Sequence, residues 1–600
     1  MNPPRDGFAQ AANRAAFIWT IGFNASSALV NLSQIPLFAY PMLAGKYGYN
    51  ATRLSLQDAG KVFMGSPMSR TSETLFGDAT TPRSVRDTYK KYGAKAALEA
   101  VKDKALPSID NYYTFTRAEN GDMIYSVRKD LNLPKGRAEE LQNLLPLVEL
   151  AARRGQLNSS FIADTLNVDQ SGRKLNYRDV ATNLSALMFH EAEVMNRQVA
   201  LIASYNLALN KLTGGKKATL AQKRQAAEEA VDITQDINGG ATLETGPRYA
   251  RKGIPRIALM YKNYGIQMYY TMLKTAKQGL DVARDSFAKE LRSKNIAAGM
   301  NLETAKAAAS AAADAFRSDA AKQLAGIHLS ALFFAGVQGL PLYGAVSMLM
   351  DLGDEDYEET TDTMLRRYLN NDALFKGVLS EVTGLDVSQR VKLTDLLIEA
   401  NRFNSDPSPE ETLLYYFGGP AWSVFSRGLT GFEKLRDGNI ERGMEDIMPG
   451  AVRNAYKALM RYPREGIRTV RGDIIYDDIT GGDVLTQLLG FPPVEYTRSI
   501  EETSAAKRME SGALQKRAAL AKKLYIAKRF GDWERYDEIR KEMDRFNETR
   551  AVRDFNPKLR IDDEFIRRSM KRHESTSANM HNGVPLSQNM QGVLGEEGFF

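Results

Sequence analysis

The sequence predicts an all-α protein, an extended multi-helix assembly with long loops and little or no sheet. Apolar residues recur every three or four positions in Leu141–Leu150, Leu184–Leu209 and Ile257–Leu273, which is the spacing of one helix face. Alternating apolar and polar runs are almost absent, and the best strand candidate, 472–479, is short and isolated. Glycine pairs and proline-rich turns separate the helical stretches.

Changes in composition along the chain predict six segments. An apolar N-terminal helix segment comes first, and a polar helical region follows it. The third segment holds a basic-aromatic helix, an alanine-rich helix and an uncharged hairpin. An acidic cap then opens a mixed helical region, a basic helical hairpin with a turn at Gly531-Asp532 forms the tail, and a disordered polar terminus follows. The predicted boundaries are 1–50, 51–245, 246–350, 351–495, 496–572 and 573–600.

Two long stretches contain no Lys, Arg, Asp or Glu. We call Ala15–Gly45 the first chargeless segment and Gln323–Met350 the second; they contain 31 and 28 residues. Each is longer than the roughly 20 residues that a helix needs to cross a bilayer, although Gly, Pro, Asn and Ser dilute both. We therefore expect them to contact a membrane or other subunits. The alternative is that they are core helices of a soluble bundle.

The first chargeless segment carries an uncharged polar stripe. Asn24, Ser27, Asn31 and Gln34 are spaced by three, four and three residues, so they share one helix face, while Ile21 lies among the apolar residues. Amides and hydroxyls against lipid tails are costly unless they hydrogen-bond between helices or face water. The stripe predicts oligomer contacts or a wet lumen, or else one face of an amphipathic soluble helix.

The second chargeless segment combines small residues with a predicted break. Ala331, Ala335 and Gly339 repeat every four residues and form a ridge that lets another backbone approach closely, with Phe333 beside it. The run Gly339-Leu-Pro341 predicts the end of the helix and a re-entrant hairpin. A core hairpin of a soluble protein is the alternative, and we expect His328 to be a core histidine.

Two places have the composition of a phosphate-binding surface. Five basic residues at 248–262 precede or alternate with tyrosines at 249–270, which suits single-stranded nucleic acid or lipid headgroups, although a buried helix face is the alternative. Between Lys507 and Arg572, 20 basic residues face 12 acidic ones, a balance also typical of a helical hairpin with many ion pairs. The candidate residues of the first place are Arg248, Arg251, Lys252, Arg256, Lys262 and Tyr264.

Catalytic and metal-binding motifs are not found in the sequence. His190-Glu191 begins like a zinc-protease motif, but Val194 stands where the second histidine is required. The acidic run after Met350 lacks the spacing of an EF-hand loop, and with no Cys in the chain thiolate metal sites and thiol nucleophiles are excluded. The excess of seven positive charges is modest for 600 residues. We expect no enzyme activity, no cofactor and no metal.

Several short stretches, taken in order, resemble one family. They are NASSALVNLS at 24–33, YPMLAGKYG at 40–48, QGLPLYG at 338–344, LDVS at 385–388, GMEDIMP at 443–449, Arg453-Asn454, RGD at 471–473, LGFPP at 489–493, and Ala527-Lys-Arg529, Gly531-Asp532 and Phe546-Asn547 in the tail. Together these stretches resemble the C-terminal module of large phage polyvalent and internal virion proteins, which act in DNA ejection. The likeness covers nearly the whole chain and is densest over 320–572.

The resemblance implies a structural virion protein that is ejected with the genome and assembles as an oligomer into a DNA-conducting channel across the host cell envelope. It implies a location in the capsid interior or tail and then in the host envelope or periplasm. The implied partners are further copies of the chain, other ejection or tail and portal proteins, phage DNA bound without sequence preference, and the host membrane. The alternatives are a soluble scaffold of the capsid interior or tail lumen, and an enzyme acting on peptidoglycan or nucleic acid.

Overall fold

A computed structural model describes most of the chain as two compact units. The described residues are 7–66, 108–117, 123–129, 131, 133–157, 177–238, 262–341, 343, 346–347, 350, 361–383, 409–469, 472–578, 580–581 and 584–585. Unit 1 comprises 1–343 and 372–496, and unit 2 comprises 344–371 and 497–600. The predicted boundaries near 350 and 495 lie close to the limits of unit 1, but 372–495 belongs to unit 1 and is not a separate domain.

The fold is all-α, as predicted, and unit 1 is built around one long helix. Its first helices are α1 (Gly7–Thr20), α2 (Ala25–Leu32), α3 (Tyr40–Tyr47), α4 (Tyr49–Met64), α5 (Lys135–Arg153), α6 (Tyr177–Thr213), α7 (Leu220–Asn238), α8 (Lys262–Gln278), α9 (Asp281–Ala297) and α10 (Leu302–Ala335). A π-helical turn, Ile35–Ala39, joins α2 to α3. Helix α6 has 37 residues, about 55 Å at 1.5 Å per residue, and α2, α4 and α7 pack along it.

The main core of unit 1 lies between α3, α4, α5, α6 and α7. The side chains of Leu43, Leu141, Leu147, Ile202 and Val231 are fully buried there. A hairpin of two five-residue strands, β1 (Tyr113–Arg117) and β2 (Met123–Val127), packs on α5. The sequence did not predict this hairpin, because strands this short carry only two or three alternations of apolar and polar residues.

In its described part, the rest of unit 1 consists of one helix of 28 residues and several short ones. In chain order they are α12 (Asp372–Lys376), α13 (Val378–Thr383), α14 (Pro409–Arg436), α15 (Ile440–Ile447), α16 (Gly450–Tyr456), α17 (Tyr462–Glu465) and α18 (Gly481–Leu489), with α11 (Thr361–Leu369) preceding them in unit 2. A π-helical turn covers Lys457–Arg461, and β3 (Ile467–Arg468) pairs with β4 (Ile474–Tyr476). The strand candidate at 472–479 is therefore present as one edge of a two-stranded ribbon.

Unit 2 contains a bundle of three helices with its own core. Helices α19 (Val494–Phe530), α20 (Trp533–Asn547) and α21 (Asp563–Ala578) enclose Leu524, Met543 and Phe546, and short turns at Ala551–Phe555 and Pro557–Leu559 join the last two. The predicted turn at Gly531-Asp532 is confirmed. A final pair, β5 (Met580–His581) and β6 (Val584–Pro585), follows α21.

The predicted disordered terminus at 573–600 is wrong for its first residues. Helix α21 continues to Ala578 because side chains of α19 hold it. The ring of His573 stacks on Tyr525 with centroids 5.4 Å apart, and Arg529 Nη1 donates to Ser577 Oγ at 2.6 Å. These partners lie about fifty residues earlier in the chain, so the local composition of the terminus did not reveal them.

Candidate functional site: the two chargeless segments

The first chargeless segment is a bent chain of short helices. Phe23 adopts φ 57° between α1 and α2, and Asn24 caps α2, its Oδ1 accepting from the Ser26 N–H at 3.2 Å. Pro36 and Pro41 stand at the first or second residue of the π-turn and of α3, where a missing N–H does no harm. The predicted helix is thus divided, and its parts change direction at Phe23.

Within the described part of the chain, no single helix combines the length and the apolar composition required to cross a bilayer. One bent pair, Ala12–Thr20 with Ala25–Tyr47, meets both requirements together, with an angle of 90° between its two arms.

The polar stripe faces helices α6 and α7 of the same chain. Asn196 Nδ2 on α6 donates to the Asn31 carbonyl oxygen at 2.6 Å and lies 3.3 Å from Gln34 Oε1. Gln34 Nε2 donates to the Ile237 carbonyl oxygen on α7 at 3.1 Å, and Asn31 Nδ2 to that of Phe189 at 3.4 Å. Ser27 and Ile21 are partly buried. In this fold the stripe hydrogen-bonds within the chain and does not line a free surface.

The end of the first chargeless segment is fixed to α7 by charge. Lys46 Nζ and the Tyr47 hydroxyl both lie 2.6 Å from Glu229 Oε1. Burial raises the pKa of Glu229, but the hydrogen bonds from Lys46 and Tyr47 outweigh it and leave that pKa below its usual range. The first charged residue after the segment therefore holds α3 in place.

The second chargeless segment begins in α10 and turns three residues earlier than predicted. Helix α10 ends at Ala335, and Gly336 adopts φ 61°, a conformation that L side chains rarely adopt. A Cβ on Gly336 would overlap the Phe375 backbone, and a Cβ on Gly377 would come within 2.6 Å of Phe334 C. The break follows from this close crossing of two backbones, whereas the sequence suggested Gly339-Leu-Pro341.

The small-residue ridge of this segment is buried, and its aromatic neighbour is not. Ala331 and Ala335 are at most 1% exposed and Gly339 is buried, whereas Phe333 is 49% exposed. Leu329, one turn before Phe333, is 63% exposed. His328 is exposed and its Nδ1 lies 2.7 Å from the Leu324 carbonyl oxygen, so the expectation of a core histidine is wrong. It stands on the outer side of α10, next to Leu329.

The two chargeless segments contact each other although nearly 300 residues separate them in sequence. Helices α3 and α10 cross where glycine faces backbone: a Cβ on Gly45 would lie 2.8 Å from Gln323 N, and one on Gly326 would lie 2.9 Å from Pro41 Cβ. Gln323 Nε2 donates to the Met42 carbonyl oxygen at 3.0 Å. Beside this crossing, Leu37 packs with Val30, Phe334 and Leu379. The segments form one body, and Leu29, Leu329 and Phe333 leave apolar surface outside it.

The basic-aromatic candidates are only partly described. Arg248, Arg251, Lys252 and Arg256 lie outside the described residues, and Lys262 and Tyr264 lie in the first turn of α8. Further along α8, Met268 and Met272 are buried while Tyr270 and Leu273 are more than half exposed. The described part of this helix therefore has a buried face and an apolar outer face, and the rest of the region on which the two interpretations differ lies outside the described residues.

Stretches on which the family resemblance rests meet in space. A Cβ on Gly490, which has φ 96°, would overlap Asn24 Oδ1 and lie 3.1 Å from Asn454 Nδ2. Gln487 Nε2 donates to Asn454 Oδ1 at 3.1 Å. In the sequence, Asn24, Asn454 and Gly490 belong to separate stretches, and no local pattern predicts that they meet. Their meeting fixes the N-cap of α2, within the first chargeless segment, against α16 and α18.

Sequence reasoning missed a buried ion pair beside this junction. Arg461 Nη1 donates to Glu445 Oε1 at 2.5 Å, and both side chains are about 5% exposed or less. Burial lowers the pKa of the neighbouring Lys457 to about 8. Only Glu445 lies in a stretch that the sequence singled out, because nothing local marks Arg461 as buried. Among the described residues no three His, Asp or Glu side chains are grouped so as to hold a metal ion.

Comparisons with protein-family models, with curated proteins and with solved structures find no match for this chain.

Proposed function

We propose that the chain is a phage structural virion protein, ejected with the genome and assembling as an oligomer into a DNA-conducting channel across the host cell envelope. One observation supports this most: the two chargeless segments form a single body that contains a bent helix pair of membrane length and retains exposed apolar side chains. A lipid-facing or subunit-facing element needs such a surface.

The channel requires that this body open. The amides of the polar stripe are bound to α6 and α7, and α3 lies against α10 at Gly45 and Gly326. A lumen lined by Asn31 and Gln34 is formed only after α2 and α3 leave these partners. The described fold is in this proposal the stored form, and contact with the envelope separates the two segments.

A disulfide across the crossing tests the proposal. The chain has no native Cys, so Pro41→Cys with Gly326→Cys introduces one defined pair. A Cβ on Gly326 lies 2.9 Å from Pro41 Cβ, and a disulfide needs about 3.8 Å, so the helices must separate by about 1 Å. We expect the reduced variant to bind liposomes and release trapped dextran, and the oxidised variant to release none. Each single-Cys variant is the control: Gly326→Cys crowds Pro41 and is compared only with itself, and for both single variants dextran release should be the same under oxidising and reducing conditions.

The soluble scaffold is the second candidate, and the hydrogen bonds of the polar stripe favour it. The side-chain amides of Asn31 and Gln34 are hydrogen-bonded to α6 and α7, as they would be in the interior of a permanently folded bundle. If neither the reduced nor the oxidised variant releases dextran or floats with liposomes, the channel proposal is wrong. A virion map that shows both segments buried in an ordered ring of the tail would then identify the scaffold.

A further inference from the structure

The corner between α19 and α20 in unit 2 exposes two large aromatic side chains. Phe530, the last residue of α19, is 80% exposed, and Trp533, the first residue of α20, is 61% exposed. Ile526, one turn before Phe530 on the same side of α19, is 42% exposed. Every residue from 528 to 535 is exposed, so this corner projects from the bundle and is not a groove.

The fold of the corner does not require these side chains. Gly531 makes the turn with φ 71°, and Asp532 caps α20, its Oδ1 accepting from the Arg535 N–H at 3.0 Å. The core of the bundle lies away from the corner on both helices, at Leu524 on α19 and at Ile539 on α20. The described neighbour of Trp533 is Tyr536 on the same helix, with ring centroids 5.8 Å apart. Two aromatic side chains are thus held in solvent by a turn that other residues determine.

Basic side chains surround the corner. Lys522, Lys523, Lys528, Arg529 and Arg535 are exposed within 14 residues, against Asp532 and Glu534, and Lys528 Nζ lies 3.7 Å from Glu574 Oε1 on α21. Asp532 is engaged as the helix cap, and the acidic residues Asp537 and Glu538 follow on α20. The α19 side of the corner is therefore positively charged where its apolar side chains protrude.

We infer that this corner is an anchor for an anionic lipid bilayer, with Phe530 and Trp533 inserted among the headgroups and the basic side chains on lipid phosphates. The indole of Trp533 carries a polar N–H edge and favours the membrane interface, the Phe530 ring adds apolar area that insertion buries, and each Lys or Arg near an anionic surface adds attraction. The convex shape decides against single-stranded nucleic acid, because bases stack in grooves that also hold the backbone. The inference does not rest on the proposed function, since it concerns another unit and other residues.

Trp533 can report on its own insertion. The chain contains three Trp, and Trp19→Phe with Trp422→Phe leaves Trp533 as the only one. We expect its emission to shift to the blue and to be quenched by brominated acyl chains with phosphatidylcholine vesicles containing phosphatidylglycerol, and to change little with phosphatidylcholine alone. The effect should weaken as salt rises. The oxidised Pro41→Cys/Gly326→Cys chain is the background, so that binding through the chargeless segments does not contribute.

Matched variants separate insertion from simple proximity. In a control chain, Trp533→Phe removes the reporter from the corner and Tyr368→Trp places a single Trp at another site of unit 2. The side chain of Tyr368 is 86% exposed. The emission of this Trp should not be quenched. Phe530→Ser with Trp533→Ser should lower partition into anionic vesicles about tenfold or more, whereas Tyr368→Ser should not change it. Lys523→Gln and Arg535→Gln should each lower it about fivefold.

Three results would overturn the inference: no response of Trp533 to anionic vesicles, equal quenching of the reporter at 368, or a Trp533 response to oligo-dT that anionic vesicles do not produce. The last would identify single-stranded DNA as the partner. If the reduced Pro41→Cys/Gly326→Cys chain releases no dextran while Trp533 is still quenched by anionic vesicles, the channel proposal is wrong and the lipid anchor is not affected.

Discussion

The two halves of α10 lie in one helix and are packed by different means. The first half, 302–320, packs on α9 through the buried alanines Ala305, Ala309 and Ala313, and no side chain of α9 is fully buried. The second half, from Gln323, packs on α3 with glycine against backbone. The first half contains charged residues, two of which pair with α9, whereas the second contains none.

The difference shows two ways in which the position of one helix against its neighbours is fixed, one with charged residues and one without. In the first half, Arg284 Nε lies 2.6 Å from Asp314 Oδ1, Arg317 pairs with Asp281, and the rings of Phe287 and Phe316 stack with centroids 4.5 Å apart. These contacts tolerate small shifts. In the second half the register depends on shape, because Gly45 and Gly326 leave no room for a side chain.

The largest effect is expected at Gly45. In Gly45→Ala the new methyl group would lie 2.8 Å from Gln323 N and 3.0 Å from the Asp319 carbonyl oxygen, so the helices must separate. We expect a loss of about 3 kcal/mol in the free energy of unfolding, measured by chemical denaturation followed by circular dichroism. Gly60→Ala is the control: Gly60 lies in α4 with open space around its Cα, and the change should add about 0.5–1 kcal/mol. Equal effects at both positions would show that α3 and α10 are not closely packed.

Acidification should destabilise unit 1 through His190. Burial, with a smaller contribution from Arg197, lowers the pKa of His190 to about 4, so the buried ring is neutral at pH 7. Its unfolded pKa is about 6.5, so the unfolded chain binds more protons between these values, and stability falls as the pH drops from 6.5 to 4. The loss should reach about 2–3 kcal/mol.

His190→Gln removes this titration and is compared with the unmodified chain over the same pH range. The variant should lose less stability between pH 6.5 and pH 4. Parallel pH curves for the two chains would mean that His190 is not buried in the folded chain.

A moderate effect is expected from the aromatic stack of the first half. Phe287→Ala removes the ring that lies parallel to Phe316, and both side chains are only partly buried. We expect a loss of about 1–2 kcal/mol, smaller than that of Gly45→Ala, in the same denaturation assay. A loss as large as that of Gly45→Ala would contradict the contrast between the two halves.

The smallest effect is expected from the ion pairs of the first half. Arg284→Gln leaves Asp314 without its partner at the surface, where water and salt screen the charge. The melting temperature should fall by less than in Phe287→Ala at low salt, and the difference from the unmodified chain should vanish at high salt. A difference that persists at high salt would mean that packing, and not charge, is the contribution of Arg284.

The sequence predicted the features that local patterns determine and missed those that distant residues impose. Helix periodicity gave the all-α fold and the helices around Leu141–Leu150 and Leu184–Leu209, and the turn at Gly531-Asp532 followed from its residues. The end of α10 at Ala335 was missed because it depends on Gly377, some forty residues later. For the polar stripe, the amides predicted a hydrogen-bonding face, but the partner Asn196 lies in a helix that no local signal connects to it.

Helix α9 should detach before the rest of unit 1 unfolds. Because α9 contacts mainly α10 and α8 and buries no side chain completely, its detachment exposes little apolar surface. Its backbone amides should therefore exchange with deuterium through a sub-global fluctuation, well before those of α6. A protease that cuts the α9–α10 turn near Gly299 would cleave this foldon while the rest of unit 1 stays native.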